Sequence, residues 1–206
     1  MSQTLEVHPR NPEPRLIRQA VECLLKGGVI VYPTDSTYAL ACHMGDKDAL
    51  ERIRRIRQLS DKHNLTLMCA DLSAISTYAK VSNTAYRLLK AYTPGPYTFI
   101  LDATAEVPRR LMHPKRKTIG LRIPDHPVSQ AILAELGEPV MSTSLILPGH
   151  DQPLSEIYEI EELLGRQVDL IIESGACGIE PSTVIDLVSG VPEVLRVGLG
   201  DPSPFQ

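Results

Sequence analysis

The stretch VIVYPTDSTYAL, Val29 to Leu40, decides the fold because it joins a buried strand to a cluster of hydroxyl groups. Its first four residues are β-branched or aromatic and follow two glycines, a pattern that predicts a buried β-strand. Pro33 ends that strand, because proline has no N–H to donate to a neighbouring strand.

The segment after Pro33 carries four hydroxyls and one carboxylate: Thr34, Asp35, Ser36, Thr37 and Tyr38. Open α/β sheets bind small ligands at the carboxyl ends of their strands, so these residues are candidates for the rim of a ligand site. The same residues are also typical of an ordinary polar turn in which Asp35 and Ser36 cap a helix. Both interpretations stay open on the chemistry of this segment alone.

The composition predicts one domain that stays in the cytoplasm. The chain has 206 residues, 43% of them hydrophobic, and no long linker-like segment, so we expect a single domain over 1–206 with its core at 14–200. No apolar run is long enough to cross a bilayer, and the first residues lack the apolar core of a signal peptide, so no membrane partner is expected. The four cysteines form no CxxC pair, which predicts neither a metal site nor a disulfide framework.

The net charge of −4 argues against a uniformly basic nucleic-acid binder, but the basic residues are unevenly distributed. Two segments hold five each: Arg52, Arg54, Arg55, Arg57 and Lys62 in the first, and Arg109, Arg110, Lys115, Arg116 and Lys117 in the second. Two basic patches on an acidic protein fit a polyanionic ligand.

Hydrophobic periodicity predicts about five helices and about eight strands. The predicted helices start at Pro14, Asp46, Ser82 and Asp125, with a weak fifth at 157–164. The last two strands, STVIDL and EVLRVG, are joined by a short turn at Ser189 and Gly190, which requires an antiparallel pair. The expected fold class is therefore α/β (α+β), with a twisted mixed sheet flanked by helices.

Common catalytic motifs are absent: the chain has no GxxxxGK[ST], GxGxxG, GxSxG or HExxH. Hydroxyls and arginines instead recur near strand ends. Thr118 and Arg122 share one face of a strand by two-residue alternation, and Arg196 lies on the last strand. An arginine within a sheet needs a carboxylate or phosphate partner, so each arginine is either salt-bridged or ligand-facing, and several together favour a ligand.

Seven segments, in this order, resemble the threonylcarbamoyl-adenylate synthase family of the YrdC/YciO type, and most closely its YciO branch. They are PTDSTYAL, RQLSDKHNLTLM, PGPYTFIL, TIGLRIPDHP, PVMSTSLILPG, STVIDL and VLRVG, and they span Gly27 to Gly198. The resemblance implies a YrdC-like sheet that encloses a large concave cavity.

The resemblance also implies a reaction in which L-threonine, bicarbonate and ATP, with Mg²⁺, give threonylcarbamoyl-AMP and diphosphate for the t6A37 modification of tRNA. By position, the threonine and its carbamate are matched by Ser36, Arg122, Ser142 and Ser182. The nucleotide is matched by His63, Thr118, Ser144 and Arg196. Arg57 matches the first basic residue of the family's Lys-x-Arg signature and is the candidate catalytic residue.

The chain departs from the family pattern where Leu59, Met68, Ile146 and Gln152 replace a basic residue, a histidine, an asparagine and a serine. It departs also where His63, Asn64 and Leu65 stand in place of a lysine-proline-leucine element. Losing one charge-assisted contact to phosphate costs roughly 1.5 to 3 kcal/mol, so these changes predict a weakened or altered activity.

The alternative hypothesis is a protein that binds double-stranded RNA or tRNA without synthase activity. A-form RNA is recognised largely through its backbone and 2′-hydroxyls, for which clustered Arg and Lys suffice. The candidate RNA-binding residues are Arg52, Arg55, Arg109, Arg110, Lys115, Arg116 and Lys117.

Overall fold

The computed structural model describes residues 1–206 and contains ten strands and six α-helices. The strands are β1 Gln3–Glu6, β2 Ile30–Pro33, β3 Tyr38–His43, β4 Thr66–Met68, β5 Tyr97–Asp102, β6 Thr118–Arg122, β7 Val140–Ser144, β8 Leu170–Glu173, β9 Thr183–Asp186 and β10 Glu193–Arg196. The helices are α1 Pro14–Leu25, α2 Lys47–Arg57, α3 Leu72–Tyr78, α4 Asn83–Tyr92, α5 Pro127–Leu136 and α6 Ile157–Leu164. Two short 3₁₀ helices cover Arg109–Leu111 and Ser203–Phe205.

All ten strands form one mixed sheet in the order β1-β8-β2-β3-β7-β4-β6-β5-β9-β10. The pairs β1·β8, β2·β8, β4·β6 and β5·β9 are parallel, and the other pairs are antiparallel. The closing pair β9·β10 is antiparallel, as the short turn required. The predicted fold class, a mixed sheet flanked by helices, is confirmed.

Helices cover both faces of the sheet, and this arrangement positions the site. Helices α1 and α5 pack on one face, with Ala39, Met68 and Val140 among their buried partners. The other four helices pack on the opposite face against the larger core, through side chains such as Ile53, Leu89 and Ile160. The part of the first face that α1 and α5 do not cover is left for the cavity described below.

Several predicted boundaries are corrected by the structure. Asp35 and Ser36 do not cap a helix, because residues 34–37 form the turn of an antiparallel hairpin between β2 and β3. Strand β3 was missed because it is buried on both faces and shows no alternation. Helix α5 is capped by His126 and not by Asp125: the His126 side chain accepts from the N–H of Val128 at 3.1 Å. Strand β7 ends at Ser144, although the pattern of PVMSTSLIL predicted a strand that continues to Leu147.

Two further elements had no counterpart in the prediction. Strand β1 adds an edge to the sheet near the amino terminus. Helix α3 is capped by Asp71, which accepts from the N–H of Ala74 at 2.9 Å. The predicted caps Asp46 and Ser82 are confirmed, since each accepts a backbone N–H three residues later.

The long basic connection between β5 and β6 is packed onto the protein. It contains the 3₁₀ helix Arg109–Leu111, and the side chains of Val107 and Leu111 are buried in the core. None of the helices in the chain combines the length and the apolar character needed to cross a membrane.

Candidate functional site

A cavity of about 330 Å³ lies on the face of seven consecutive strands, β3-β7-β4-β6-β5-β9-β10. Alternate residues of each strand form its floor, because side chains two apart point to the same face. The register brings these residues together: Thr66 is paired with Ser142 and with Gly120, and Met68 with Arg122. A Cβ at Gly120 would lie 2.8 Å from Thr66 Oγ1, so glycine keeps this part of the floor closely packed.

Most of the predicted site residues lie together in this cavity. Its lining includes Arg57, His63, Arg122, Ser142, Ser144, Ser182 and Arg196. Three of them lie on β6 and β7, whereas Arg57 ends α2 and His63 lies in the connection that follows it. Residues separated by up to about 140 positions in the sequence are thus brought to one surface by the strand order.

Two predicted residues lie outside the cavity lining. Ser36 is buried in the hairpin turn and reaches the site through Arg122, whose Nη2 donates to Ser36 Oγ at 2.9 Å. Thr118 shares its face of β6 with Gly120 and Arg122, but its buried Oγ1 has no hydrogen-bond partner.

The cavity lining also includes Asn64, Thr66, Thr98 and Thr143, which the sequence did not single out. Thr37 from the predicted rim and Lys62 from the first basic segment line it as well. Thr98 had a signal in the sequence, because it alternates with the buried Phe99 and Leu101 along β5. Without the order of the strands, that alternation could not show which face carries the site.

The charged side chains that line the cavity all have the same sign. Four basic side chains line it, Arg57, Lys62, Arg122 and Arg196, and no Asp or Glu does. Burial, and then the charge of Arg196, lowers the pKa of Arg57 to about 10, so it remains protonated at neutral pH. Burial, and then the charge of Arg122, lowers the pKa of Arg196. Such mutual repulsion favours the binding of an anion.

His63 contributes a neutral ring at pH 7. Burial of the ring, followed by the charges of Arg57, Arg196 and Arg54, lowers the pKa of His63 to about 4, although the residue as a whole is exposed at the cavity rim. A neutral imidazole can donate or accept one hydrogen bond at each nitrogen without adding charge.

Hydrogen bonds fix the polar side chains of the floor. Tyr32 Oη and Ser142 Oγ are 2.6 Å apart, and Thr98 Oγ1 and Ser182 Oγ are 2.7 Å apart. Arg196 donates to the carbonyl oxygen of Ser182 from Nε at 3.0 Å and from Nη2 at 2.7 Å. These contacts orient the hydroxyl groups of Ser142 and Ser182, and the latter lies beside the guanidinium group of Arg196.

The positions that depart from the family pattern behave differently. Met68 and Ile146 line the cavity. Leu59 is partly buried against the core, and Gln152 is exposed; neither belongs to the lining. The departures at Met68 and Ile146, together with those at His63 and Asn64, therefore change the cavity surface directly.

The predicted RNA-binding residues divide into two groups. Arg52 and Arg55 line a separate groove of about 430 Å³ with Ile56, Arg166 and Gln167, and Arg52 forms an ion pair with Asp169. Arg109, Arg110, Lys115, Arg116 and Lys117 are exposed on the β5–β6 connection. Arg116 is paired with Asp186 at 2.7 Å.

A wider depression of about 710 Å³ lies between α1, α2 and β8. Its lining mixes acidic and basic side chains, including Glu22, Asp48, Asp169, Lys26 and Arg52, so it lacks the one-sided charge of the cavity. The smaller cavity on the sheet is therefore the better candidate site for an anionic ligand.

The residues present do not form a metal site. No group of three or more His, Cys, Asp or Glu side chains could hold a metal ion, and the cavity lining offers no carboxylate. Because Mg²⁺ prefers oxygen ligands and is usually held through substrate phosphates, a magnesium ion in this cavity would need a phosphate-bearing ligand to hold it.

The fold and the site define an α/β protein whose sheet carries a cationic, hydroxyl-lined cavity. The family model described as "Telomere recombination", Sua5/YciO/YrdC, matches residues 22–198. The chain therefore belongs to the Sua5/YciO/YrdC family.

Individual relatives agree with this assignment. The chain is 60% identical over 205 residues to an uncharacterized protein YciO of Escherichia coli strain K12, with 100% of both chains covered. It is 31% identical over 159 residues to a threonylcarbamoyl-AMP synthase of Vibrio vulnificus strain YJ016, covering 76% of this chain and 84% of the relative.

Solved structures show the same fold. The crystal structure of E. coli YciO matches with a TM-score of 0.98 over 100% of both chains. The structure of P. abyssi Sua5 complexed with L-threonine matches with a TM-score of 0.87 at 26% identity, covering 96% of this chain and 58% of that one. The sequence-based family assignment is thus confirmed.

Proposed function

We propose that the protein is a threonylcarbamoyl-AMP synthase-like enzyme that acts on L-threonine, bicarbonate and ATP. The observation that carries the proposal is the composition of the cavity: four basic side chains, a row of hydroxyls and no carboxylate. ATP and an amino acid together present phosphates, a carboxylate and a hydroxyl, which such a lining complements. The relation to a synthase at 31% identity supports the same assignment.

Arg122 is proposed to bind the carboxylate of threonine. An arginine presents a planar fork of donors that matches a carboxylate, and Arg122 is one of the cavity-lining side chains. Ser142 and Ser182, held by Tyr32 and Thr98, are proposed to contact the hydroxyl and the carbamate. Ser36 would act through its hydrogen bond to Arg122.

Arg57 and Arg196 are proposed to neutralise the phosphates, with His63 and Ser144 beside the nucleotide. In the adenylyl transfer, a carbamate oxygen bonds to the α-phosphorus, and the bond from that phosphorus to the bridging oxygen breaks. Diphosphate leaves with the electron pair. Catalysis then rests on alignment and on neutralised charge, which fixed guanidinium groups provide without a general base.

The test is diphosphate release from the purified chain with ATP and magnesium, in the presence and absence of threonine and bicarbonate. Arg57→Ala serves as the inactive blank, and Arg18→Ala is the matched control, since Arg18 is an exposed arginine on α1 outside the cavity. The proposal expects release that requires every substrate. A folded protein that releases no diphosphate above the blank would contradict it.

A second candidate function is the binding of double-stranded RNA or tRNA. It is favoured by Arg109, Lys115 and Lys117, which are exposed on one connection and have no carboxylate within salt-bridge distance. The side chain of Arg110 donates a hydrogen bond only to the carbonyl oxygen of Gly45. These four side chains are therefore available to phosphates, unlike Arg116 and Arg52.

The second function is tested by the salt dependence of RNA affinity. Each phosphate contact should contribute about −0.9 to the slope of log K against log salt on duplex and about −0.7 on single strands. Replacing Arg109, Arg110, Lys115 and Lys117 with alanine should flatten the slope, whereas replacing Arg15, Arg18, Arg87 and Lys90 on α1 and α4 should not. Equal slopes for the two fourfold variants would exclude the β5–β6 connection as the RNA contact.

A further inference from the structure

Arg122, which lines the cavity, forms a buried ion pair with Asp35, which lies behind it and is not one of the lining residues. Arg122, the last residue of β6, is 5% exposed and contacts Asp35 in the hairpin turn through Nη2. The same nitrogen donates to Ser36 Oγ at 2.9 Å. The pair therefore links the cavity floor to the β2–β3 turn.

Each partner of this pair retains one polar atom without a hydrogen bond. Arg122 Nε, a donor, and Asp35 Oδ2, an acceptor, are both buried and have no partner in the protein. A buried charged group with unmet hydrogen-bonding capacity is costly, and the cost falls when a ligand supplies the missing group.

The two unmet groups have opposite polarity. A carboxylate complements the guanidinium, and an ammonium group complements the Asp35 carboxylate. An α-amino acid carries both groups on one carbon atom. Asp35 is also the one carboxylate that a cavity-lining side chain contacts, since the lining itself contains no Asp or Glu.

Tyr32, Cys177 and His126 also lie within electrostatic reach of Asp35, and of these only His126 can become a cation. Burial lowers the pKa of His126 below its usual value, although the Asp35 charge opposes this shift, so the ring is neutral near pH 7. Its side chain is already committed to the N-cap of α5. Arg122 is therefore the cation that balances Asp35.

We propose that Asp35 is a specificity-determining residue: it competes with the substrate carboxylate for Arg122 and contacts the α-ammonium group of the substrate. The inference rests on the proposed function and deepens it, because it explains why a free amino acid would be preferred over a simple hydroxy acid. A carboxylate ligand without an ammonium group must displace Asp35 and gains no compensating contact.

The test compares L-threonine with (R)-3-hydroxybutanoate, which keeps the carboxylate and the hydroxyl but lacks the amino group. Calorimetric titration of the full chain, without ATP, measures both affinities for the wild type, for Asp35→Asn and for Glu162→Gln. Glu162 is an exposed carboxylate on α6 without a partner, so its variant controls for the loss of one negative charge.

The wild type is expected to prefer L-threonine by at least tenfold. In Asp35→Asn, L-threonine affinity should fall and (R)-3-hydroxybutanoate affinity should rise, so that the ratio drops by tenfold or more. Glu162→Gln should leave the ratio unchanged. If thermal unfolding shows that Asp35→Asn is misfolded, Asp35→Ser is measured in its place.

Two results would overturn the inference, and they are distinguishable. Equal affinity of the wild type for both ligands, or a ratio that Asp35→Asn leaves unchanged, would remove the role of Asp35 while the proposed function stands. Failure of the wild type to bind either ligand would overturn the proposed amino-acid site together with the inference.

Discussion

The Nε–H of Arg57 donates a hydrogen bond to the carbonyl oxygen of Ile146 at 2.8 Å. This bond ties the end of α2 to the segment that follows β7, although the two residues lie 89 positions apart. With Nε fixed, the two terminal nitrogens of the guanidinium have a defined direction, and the arginine is preorganised without a carboxylate partner.

Arg57→Lys should therefore lose activity although it keeps the charge. Lysine has no Nε donor for Ile146 and cannot present two fixed donors to a phosphate. We expect turnover to fall by about ten- to a hundredfold, which corresponds to one charge-assisted hydrogen bond. Steady-state diphosphate release checks this, with Arg18→Lys as the control. Wild-type turnover in Arg57→Lys would show that charge alone suffices at this position.

Arg122→Met should destabilise the protein by about 3 to 5 kcal/mol, because it leaves the buried Asp35 carboxylate without its counterion. The side chains are only 6% and 11% exposed, so solvent screens the pair weakly. The double variant Arg122→Met/Asp35→Asn should regain about 1 to 3 kcal/mol of that loss. Urea unfolding of the two single variants and the double variant measures the coupling. Additive losses would mean that the two side chains do not stabilise each other.

The departure from the family pattern at Ile146 is tested by comparing two variants of that residue. Ile146→Asn places an amide donor in the cavity lining, and we expect diphosphate release to rise by about five- to tenfold, the value of one hydrogen bond. Ile146→Ala is the control, because it removes the apolar side chain without adding a donor. A rise in both variants would point to cavity size as the cause.

Leu59→Arg should not raise the activity. Leu59 packs against the core outside the cavity lining, so an arginine there loses apolar burial and does not face the cavity. We expect a loss of stability of about 1 kcal/mol and unchanged diphosphate release. Increased release would show that the segment after α2 turns toward the cavity when substrates bind.

Local sequence signals predicted the fold class, and the family resemblance predicted most of the cavity residues. Pro33 ends β2 as expected, and two-residue alternation places Thr118 and Arg122 on one face of β6. The resemblance matched Ser142 and Ser144 on β7 to the site, and both line the cavity. The resemblance then supplied Arg57 and His63, which no periodicity could assign to the site. Their roles remain predictions, whereas their positions in the cavity are observed.

The rest depended on long-range contacts. The order of the strands decides that Thr98 on β5 faces the same cavity as Ser182, and sequence spacing carries no information about that order. The partner of Arg122 could not be chosen for the same reason: the carboxylate lies 87 positions away in the β2–β3 turn. Burial on both faces hid β3, since it removes the alternation by which a strand is recognised.

His63 gives a pH-dependent prediction. Its pKa is lowered to about 4 in the folded protein, by burial first and then by the charges of Arg57, Arg196 and Arg54, whereas an unfolded histidine titrates near 6.5. Between these values the unfolded state binds the proton and the folded state does not, so stability falls as the pH falls from about 6.5 to about 4.

The variant His63→Gln removes this pH-dependent contribution to stability. As the pH falls through that window, the unfolding midpoint of His63→Gln should therefore rise relative to that of the wild type. The control is His150→Gln, at an exposed position without a partner, and its midpoint should follow that of the wild type. A His63→Gln difference that stays constant from pH 7 to pH 4 would mean that the arginines around the cavity do not hold this ring in its neutral form.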